Sequence, residues 1–276
     1  VRKRERGQAG FTLIELLVTL AIIGLMGLVA GTTISETHED EIAYGVTTQI
    51  MEDVQKAILG DAIPHNRGVH ISGYVADMGG LPALNDDGQP EALWKKTDGL
   101  ETSQYHADAR IRTGWNGPYL QEPDSGFLTD GWGNGLFFKT STEGTLSITS
   151  YGADLKQGGS GLDEDIVLEI RKYHYMASLG FSFKGVGGDL VASRFTIHFP
   201  HPDTGALLSE QLEIRSFDVG GGVEYGYFLS GDGGRPLFPI GLRSVTAVIS
   251  HGSGNEEENV VVFPIQSGMN YMGLLE

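Results

Sequence analysis

Cysteine is absent from the 276-residue chain. Its absence excludes disulfide staples, thiolate metal sites and a cysteine nucleophile, and leaves the redox compartment open. Basic side chains are scarce: 19 Lys and Arg face 36 Asp and Glu, for a net charge of −17. Four of those bases (Arg2, Lys3, Arg4, Arg6) share the first ten residues, VRKRERGQAG, with one acid, so this stretch carries +3 and the rest of the chain −20. A body so acidic repels nucleic acid and anionic lipid, so no nucleic-acid partner is expected. Signatures of catalysis are missing too. Ser, His and Asp occur without a nucleophile elbow, there is no phosphate loop, and GVGGD lacks the helix a dinucleotide site needs. The 8 histidines are scattered, and His198 and His201, which bracket Phe199 and Pro200, have no third ligand near them in sequence. No enzyme is expected.

What is present is glycine, 41 residues, within a chain that is 40% hydrophobic and 20% charged, a composition of folded, turn-rich proteins. Residues 10–31, GFTLIELLVTLAIIGLMGLVAG, are almost wholly apolar. A helix from Phe11 to Ala30 is about 30 Å long, the thickness of a bilayer's hydrocarbon. The basic residues before it keep the N-terminus on the cytoplasmic side and send the acidic body across. Glu15 lies inside that run, where a carboxylate is costly.

The order Gly10, Phe11, Thr12, Leu13, Ile14, Glu15 after a short basic leader resembles the signal of type IV prepilins and type II secretion pseudopilins. The resemblance implies cleavage after Gly10 by a prepilin peptidase and N-methyltransferase, and methylation of the new amine on Phe11. It also implies assembly with other pseudopilins on an inner-membrane platform. Glu15 is then an assembly device: the cationic terminus of a neighbouring subunit compensates its charge. Localisation follows as a single pass through a bacterial inner membrane with the body in the periplasm. Many relatives carry a proline further along this helix, where this chain has AGTTIS at 30–35.

Beyond the membrane segment Ile42, Val46, Ile50, Val54 and Ile58 recur every fourth residue, with Met51 and Ala57 beside them. The pattern predicts one helix from Phe11 to about Leu59, ended by Gly60 and Pro64, with an amphipathic second half lying on a sheet. Residues 61–110 are turn-rich and force no long element. Alternation at Leu136 and Phe138, and again at Leu146 and Ile148, predicts a short antiparallel sheet with a tight turn. The segments ADMGGLP (Ala76–Pro82), GLE (Gly99–Glu101), GWNGPYL, DGWGNGLFF and SYGADLKQGGSGLDEDI resemble, in order, landmarks of the major pseudopilin of type II secretion systems. The pilin fold is implied over roughly residues 8–170. Two prolines of the family's Asp-Pro-Trp-Gly-Asn-Pro segment are here Gly131 and Gly135.

GADLKQGGSGLDEDI sets Asp154 and Asp165 around a glycine-rich loop. Calcium takes six to eight oxygens from carboxylates and carbonyls, and such a loop can offer both, but acids in a glycine loop are usually just solvated. The EF-hand run is absent. The resemblance implies a structural Ca²⁺ held by Asp154 and Asp165, with Asp163 as an extra or substitute ligand.

From residue 176 the chain outruns the family pattern. About seven alternating or β-branched runs, among them ASRFTIHF, RSVTAVIS and ENVVVFPI, are separated by turn signals and predict an antiparallel sandwich. The similarity to immunoglobulin-like or transthyretin-like modules is one of shape alone. The organisation expected is a leader over 1–10, a transmembrane half-helix over 11–34, a periplasmic pseudopilin domain over 35–175 and the β domain over 176–276, in the α+β class. The function expected is a structural subunit of a secretion filament that helps export folded proteins. The alternative is a minor pilin of a type IV pilus whose β domain binds a surface or ligand.

Overall fold

The computed structural model describes residues 13–65, 68–184, 194–218, 223–229, 234–250 and 256–273. Its first element is α1, Leu13–Leu59, a helix of 47 residues that continues without a break through 30–35. It stops where Gly60 turns left-handed (φ +78) and donates its amide to Lys56 O at 2.7 Å. A Cβ at Gly60 would lie 1.5 Å from Ser72 O, so only glycine closes this corner.

The buried face of α1 is Ala43, Thr47, Met51, Val54, Ala57 and Ile58. Ile42 and Val46, expected on that face, are 61% and 44% exposed. The reason is angular. Each step of four residues overshoots a full turn by about 40°, so five residues spaced by four drift by about 160°, nearly to the opposite side of the helix. A face that stays on a core mixes steps of three and four, and the drift leaves Ile42 and Val46 outside.

After α1 come β1 (Asp61–His65) and β2 (Gly68–Ser72), an antiparallel pair, then the short helix α2 (Tyr74–Met78) and one 3-10 turn at Glu91–Leu93. β3 (Gln104–His106) and β4 (Ile111–Thr113) form a second hairpin. β5 (Phe137–Thr140), β6 (Leu146–Ser150) and β7 (Ile166–Ile170) make a three-stranded antiparallel sheet in that order. Phe138, Leu146, Ile148 and Ile170 from this sheet pack with Met51, Val54 and Ile58 of α1. The alternation at 136–148 therefore marks the core face as expected, and α2 with Leu93 and Trp94 completes the cluster.

The short helix α3 (Lys172–Tyr175) leads into β8 (Met176–Lys184), β9 (Arg194–Pro200), β10 (Leu207–Asp218), β11 (Val223–Leu229) and β12 (Phe238–Pro239). β13 (Gly241–Ser250), β14 (Glu256–Ile265) and β15 (Gly268–Gly273) follow. β10 changes partner halfway: Leu207–Leu212 pairs with β9, and Glu213–Asp218 with β11. One half of the strand set is thus β14, β13, β9 and the start of β10. The other half is the end of β10 with β11, β8 and β15. Side chains from both halves, including Leu179 of β8, Phe195 and Ile197 of β9, Val245 of β13 and Ile265 of β14, meet in one apolar cluster.

The expectation of purely antiparallel pairing is corrected at one place: β15 runs parallel to β8. It leaves β14 through Gln266 and Ser267, whose turn the Asn270 side chain holds by accepting from Gln266 N and donating to Gln266 O. The chain then crosses to the other half, so it arrives alongside β8 in the same direction.

Candidate functional site

The processing residues Gly10 and Phe11 lie outside the described residues, and of Glu15 only the backbone, within α1, is described. The neighbouring side chains Ile14, Leu16, Leu17, Val18, Leu20, Ile22, Ile23 and Met26 are all exposed. Among the described residues no helix is long and apolar enough to cross a membrane.

The second half of α1 is fastened to the body by the DGWGN segment. Trp132 Nε1 donates to Asp40 Oδ1 at 2.9 Å, and Gly131 N donates to Thr47 Oγ1 at 2.9 Å. Thr47 in turn donates to Ala43 O at 2.8 Å. Asp130, buried, accepts from Trp132 N and Asn134 N through Oδ1 and from Ser150 Oγ at 2.7 Å through Oδ2. The loop therefore ties helix to sheet. It also accounts for Gly131. A Cβ there would lie 2.1 Å from Ala43 O, and a proline would lack the N–H that Thr47 accepts. Gly135 meets nothing within 4 Å.

The carboxylate loop is closed by Ala153 N donating to Leu162 O at 3.1 Å, and by a pair of bonds between Gly158 and Asp165. Asp165 Oδ1 accepts from Gly158 N at 3.0 Å while Asp165 N donates to Gly158 O at 3.2 Å. Asp154 Oδ1 accepts from Lys156 N at 3.0 Å, and the Lys156 ammonium lies 3.4 Å from Asp154 Oδ2. Asp154 and Asp165 are half-buried, and Asp163 is exposed. Among the described residues no three His, Cys, Asp or Glu side chains gather as a metal-holding group. The donor set is nonetheless one of hard oxygens, and Asp154 already attracts a cation in Lys156. These residues fit calcium chemistry if backbone carbonyls supply the remaining ligands.

His198 and His201 do not act together. His198 bridges Ser209 Oγ (2.8 Å) and Thr246 Oγ1 (2.9 Å), and burial lowers its pKa. His201 Nδ1 accepts from Asp203 N at 3.2 Å.

The GWNGPYL segment anchors the body elsewhere. Trp115 Nε1 donates to Ala92 O at 2.6 Å, and Tyr119 OH donates to Asp77 Oδ2 at 3.0 Å. Burial, then the Asp77 charge, pushes the Tyr119 phenol far up, and burial with Asp203 pushes Tyr74 up to about 12. Sequence reasoning missed three anchors. Gln89 donates to Leu136 O and accepts from Leu128 N, Asp130 is described above, and Arg243 is fully buried between the two bodies. Gln89 and Arg243 carry no local signal; Asp130 heads an Asp-Gly turn, which was legible as a turn but not as a buried anchor.

Comparison with known proteins now bears on this arrangement. Residues 6–31 match the prokaryotic N-terminal methylation motif, and residues 88–169 match type II secretion system (T2SS), protein G. The protein G match spans the DGWGN anchor, the carboxylate loop and most of β7. The chain therefore carries a prepilin methylation motif at its head and a type II secretion protein G domain in its body. It is 26% identical to the type II secretion system core protein G of Xanthomonas campestris pv. campestris over 161 residues, 58% of this chain and 89% of that protein. No solved structure matches. This family is structural rather than enzymatic, and the methylation motif matches residues 6–31, which run into the first half of α1.

Proposed function

We propose that this pseudopilin is a filament subunit of a type II secretion apparatus, cleaved after Gly10 and methylated on Phe11 before it assembles with other pseudopilins to help export folded proteins. One observation carries the reading. α1 is one element with two fates: its second half is packed and bolted to the protein G domain, while its first half presents exposed Ile14, Leu17, Ile22 and Met26, with Glu15 next to Ile14 in the sequence. An apolar surface of that length needs lipid before assembly and neighbouring helices after it. Glu15 selects the neighbours, because a partner's N-terminal ammonium is the charge that compensates it. The body lies on the periplasmic side of the inner membrane, the pilin fold is the helix-on-sheet unit of α1 with β5–β7, and the strands from 176 onward form a sandwich carried beside it.

Two experiments test this. N-terminal sequencing of the native chain is expected to begin at methylated Phe11, and a Glu15→Val variant is expected to abolish incorporation into filaments while leaving the periplasmic body folded. A chain that keeps its basic leader, or a variant that still polymerises, refutes the reading.

The carboxylate loop serves the same assembly. Calcium on Asp154 and Asp165, with Asp163 as a further ligand, would displace Lys156 and fix the Gly158–Asp165 turn against β7. The expected result is a rise in melting temperature with calcium that Asp154→Ala removes; no shift in either protein ends the proposal.

A further inference from the structure

Arg243 stands near the start of β13 and is 0% exposed. A guanidinium has five N–H donors in a planar fork, and here each one meets a carbonyl. Nε donates to Pro239 O at 3.0 Å. One terminal nitrogen donates to Leu242 O and to Ala76 O, each at 2.8 Å. The other donates to Val75 O at 3.3 Å and to Ile240 O. Three acceptors belong to the β12–β13 corner, whereas Val75 and Ala76 belong to α2. The end of a helix leaves carbonyls without intrahelical partners; from the opposite body Arg243 fills one of them, Ala76 O, and adds a second donor to Val75 O, which already accepts from Gly79 N at 2.8 Å. Burial lowers its pKa and the Asp77 charge opposes that shift.

The surroundings are as closely fitted. A Cβ on Gly79 would lie 2.1 Å from Pro200 O, and one on Gly80 would lie 2.8 Å from Pro202 Cβ. Gly241 comes equally near to Ala76, whose Cα is 2.8 Å from the position a Cβ would take. Glu101 N donates to Thr204 O at 2.8 Å, and Ser244 Oγ donates to Ala109 O. Ile240 from the β body is counted in the core cluster of the pseudopilin body, with Tyr175 donating its hydroxyl to Gly144 O and accepting Ile240 N on its own carbonyl. The protein G relative is covered over 89% of its length, so the remaining tenth or so is too short for an eight-stranded body.

We propose that the β body is a built-in partner for the face made by α2, Gly79 and Gly80, and that Arg243 is the positioning residue that docks it there. The subunit then moves as one rigid unit, and this face is occupied by the chain's own domain instead of being open to a neighbour. The docking claim stands on the seam alone; its meaning for assembly rests on the pseudopilin reading above.

Hydrogen exchange read by mass spectrometry on the full chain in detergent tests it, with two variants. Arg243→Lys keeps a charge but offers an ammonium's three donors in place of five. Gly80→Ala adds only a methyl, at a backbone position free of positive φ, and that methyl meets Pro202 of the other body. Both are expected to speed exchange of peptides covering 75–80 and 240–244 by about tenfold or more, with β5–β7 unchanged. Parent-like exchange in both variants, or equal loosening of β5–β7, overturns the proposal. If Arg243→Lys does not fold, Gly80→Ala decides alone. Docking that behaves as expected in a chain that never enters a filament would refute the secretion reading and leave this one standing.

Discussion

The carboxylate loop and the Arg243 socket both converge oxygen atoms on a point, but they differ in who brings the cation and in how much water reaches it. At 154–165 the oxygens are carboxylates near solvent, and the cation at hand is Lys156, 3.4 Å from Asp154 and itself 80% exposed. At the socket the oxygens are five carbonyls and the cation is covalently part of the chain, with no exposure at all. Screened by water, the first arrangement is worth little by itself and gains by recruiting a divalent ion. Sealed from water, the second is complete as built, and removing its cation leaves buried acceptors with nothing to bond. Exposure, rather than the number of oxygens, separates a site that waits for a ligand from one that is already a structural joint.

The contrast can be broken most directly at the socket. Arg243→Met is expected to cost about 3 kcal/mol or more in denaturant unfolding, since several buried carbonyls lose their donors together. A loss below about 1 kcal/mol would mean that the seam is wetter than the structure has it. The helix anchor offers a second test with its own control. Gly131→Pro is expected to cost about 2–3 kcal/mol through its clash with Ala43 and the lost bond to Thr47, whereas Gly135→Ala is expected to stay within about 0.5 kcal/mol.

A third test uses pH beside the socket. In the unfolded chain the phenols release their protons near 10.0, while folded Tyr74 keeps its own to about 12 and Tyr119 is raised as well. Above pH 10 the folded state therefore binds more protons, and stability falls as pH rises. Tyr119→Phe is expected to make that alkaline decline shallower in a pH series of melts. The smallest effect belongs to the loop: without calcium, Asp165→Ala is expected to cost about 1 kcal/mol or less, because the bond from Gly158 it loses is open to water.

Much of the fold was legible. The 3.6-residue period and a closing glycine marked α1 to Leu59, and alternation marked Phe138, Leu146 and Ile148 as the core face of the small sheet. These are local patterns, read within a few residues of one another. The stripe on α1 was misphased because a spacing of four drifts off any single face, so Ala43 and Thr47, the residues under the DGWGN loop, were passed over for Ile42 and Val46. β15 went unseen because GMNYMG is short, bounded by glycine and without alternation. At the candidate site the methylation signal was plain from residue type and spacing. Gln89, Asp130 and Arg243 were not, since their roles depend on backbone atoms far away in sequence: Arg243 meets Ala76 across 167 residues.

The sequence by itself determined the prepilin-like signal at the head, where the long helix ends and which face of the small sheet is apolar, because charge, periodicity and chain punctuation act over a turn or two. Only the tertiary structure decided why glycine replaces proline at 131, how α1 is bolted to its sheet and where the extra strands are seated. Those outcomes depend on which carbonyls and glycines of distant segments come within a few ångströms, and no local pattern encodes that distance.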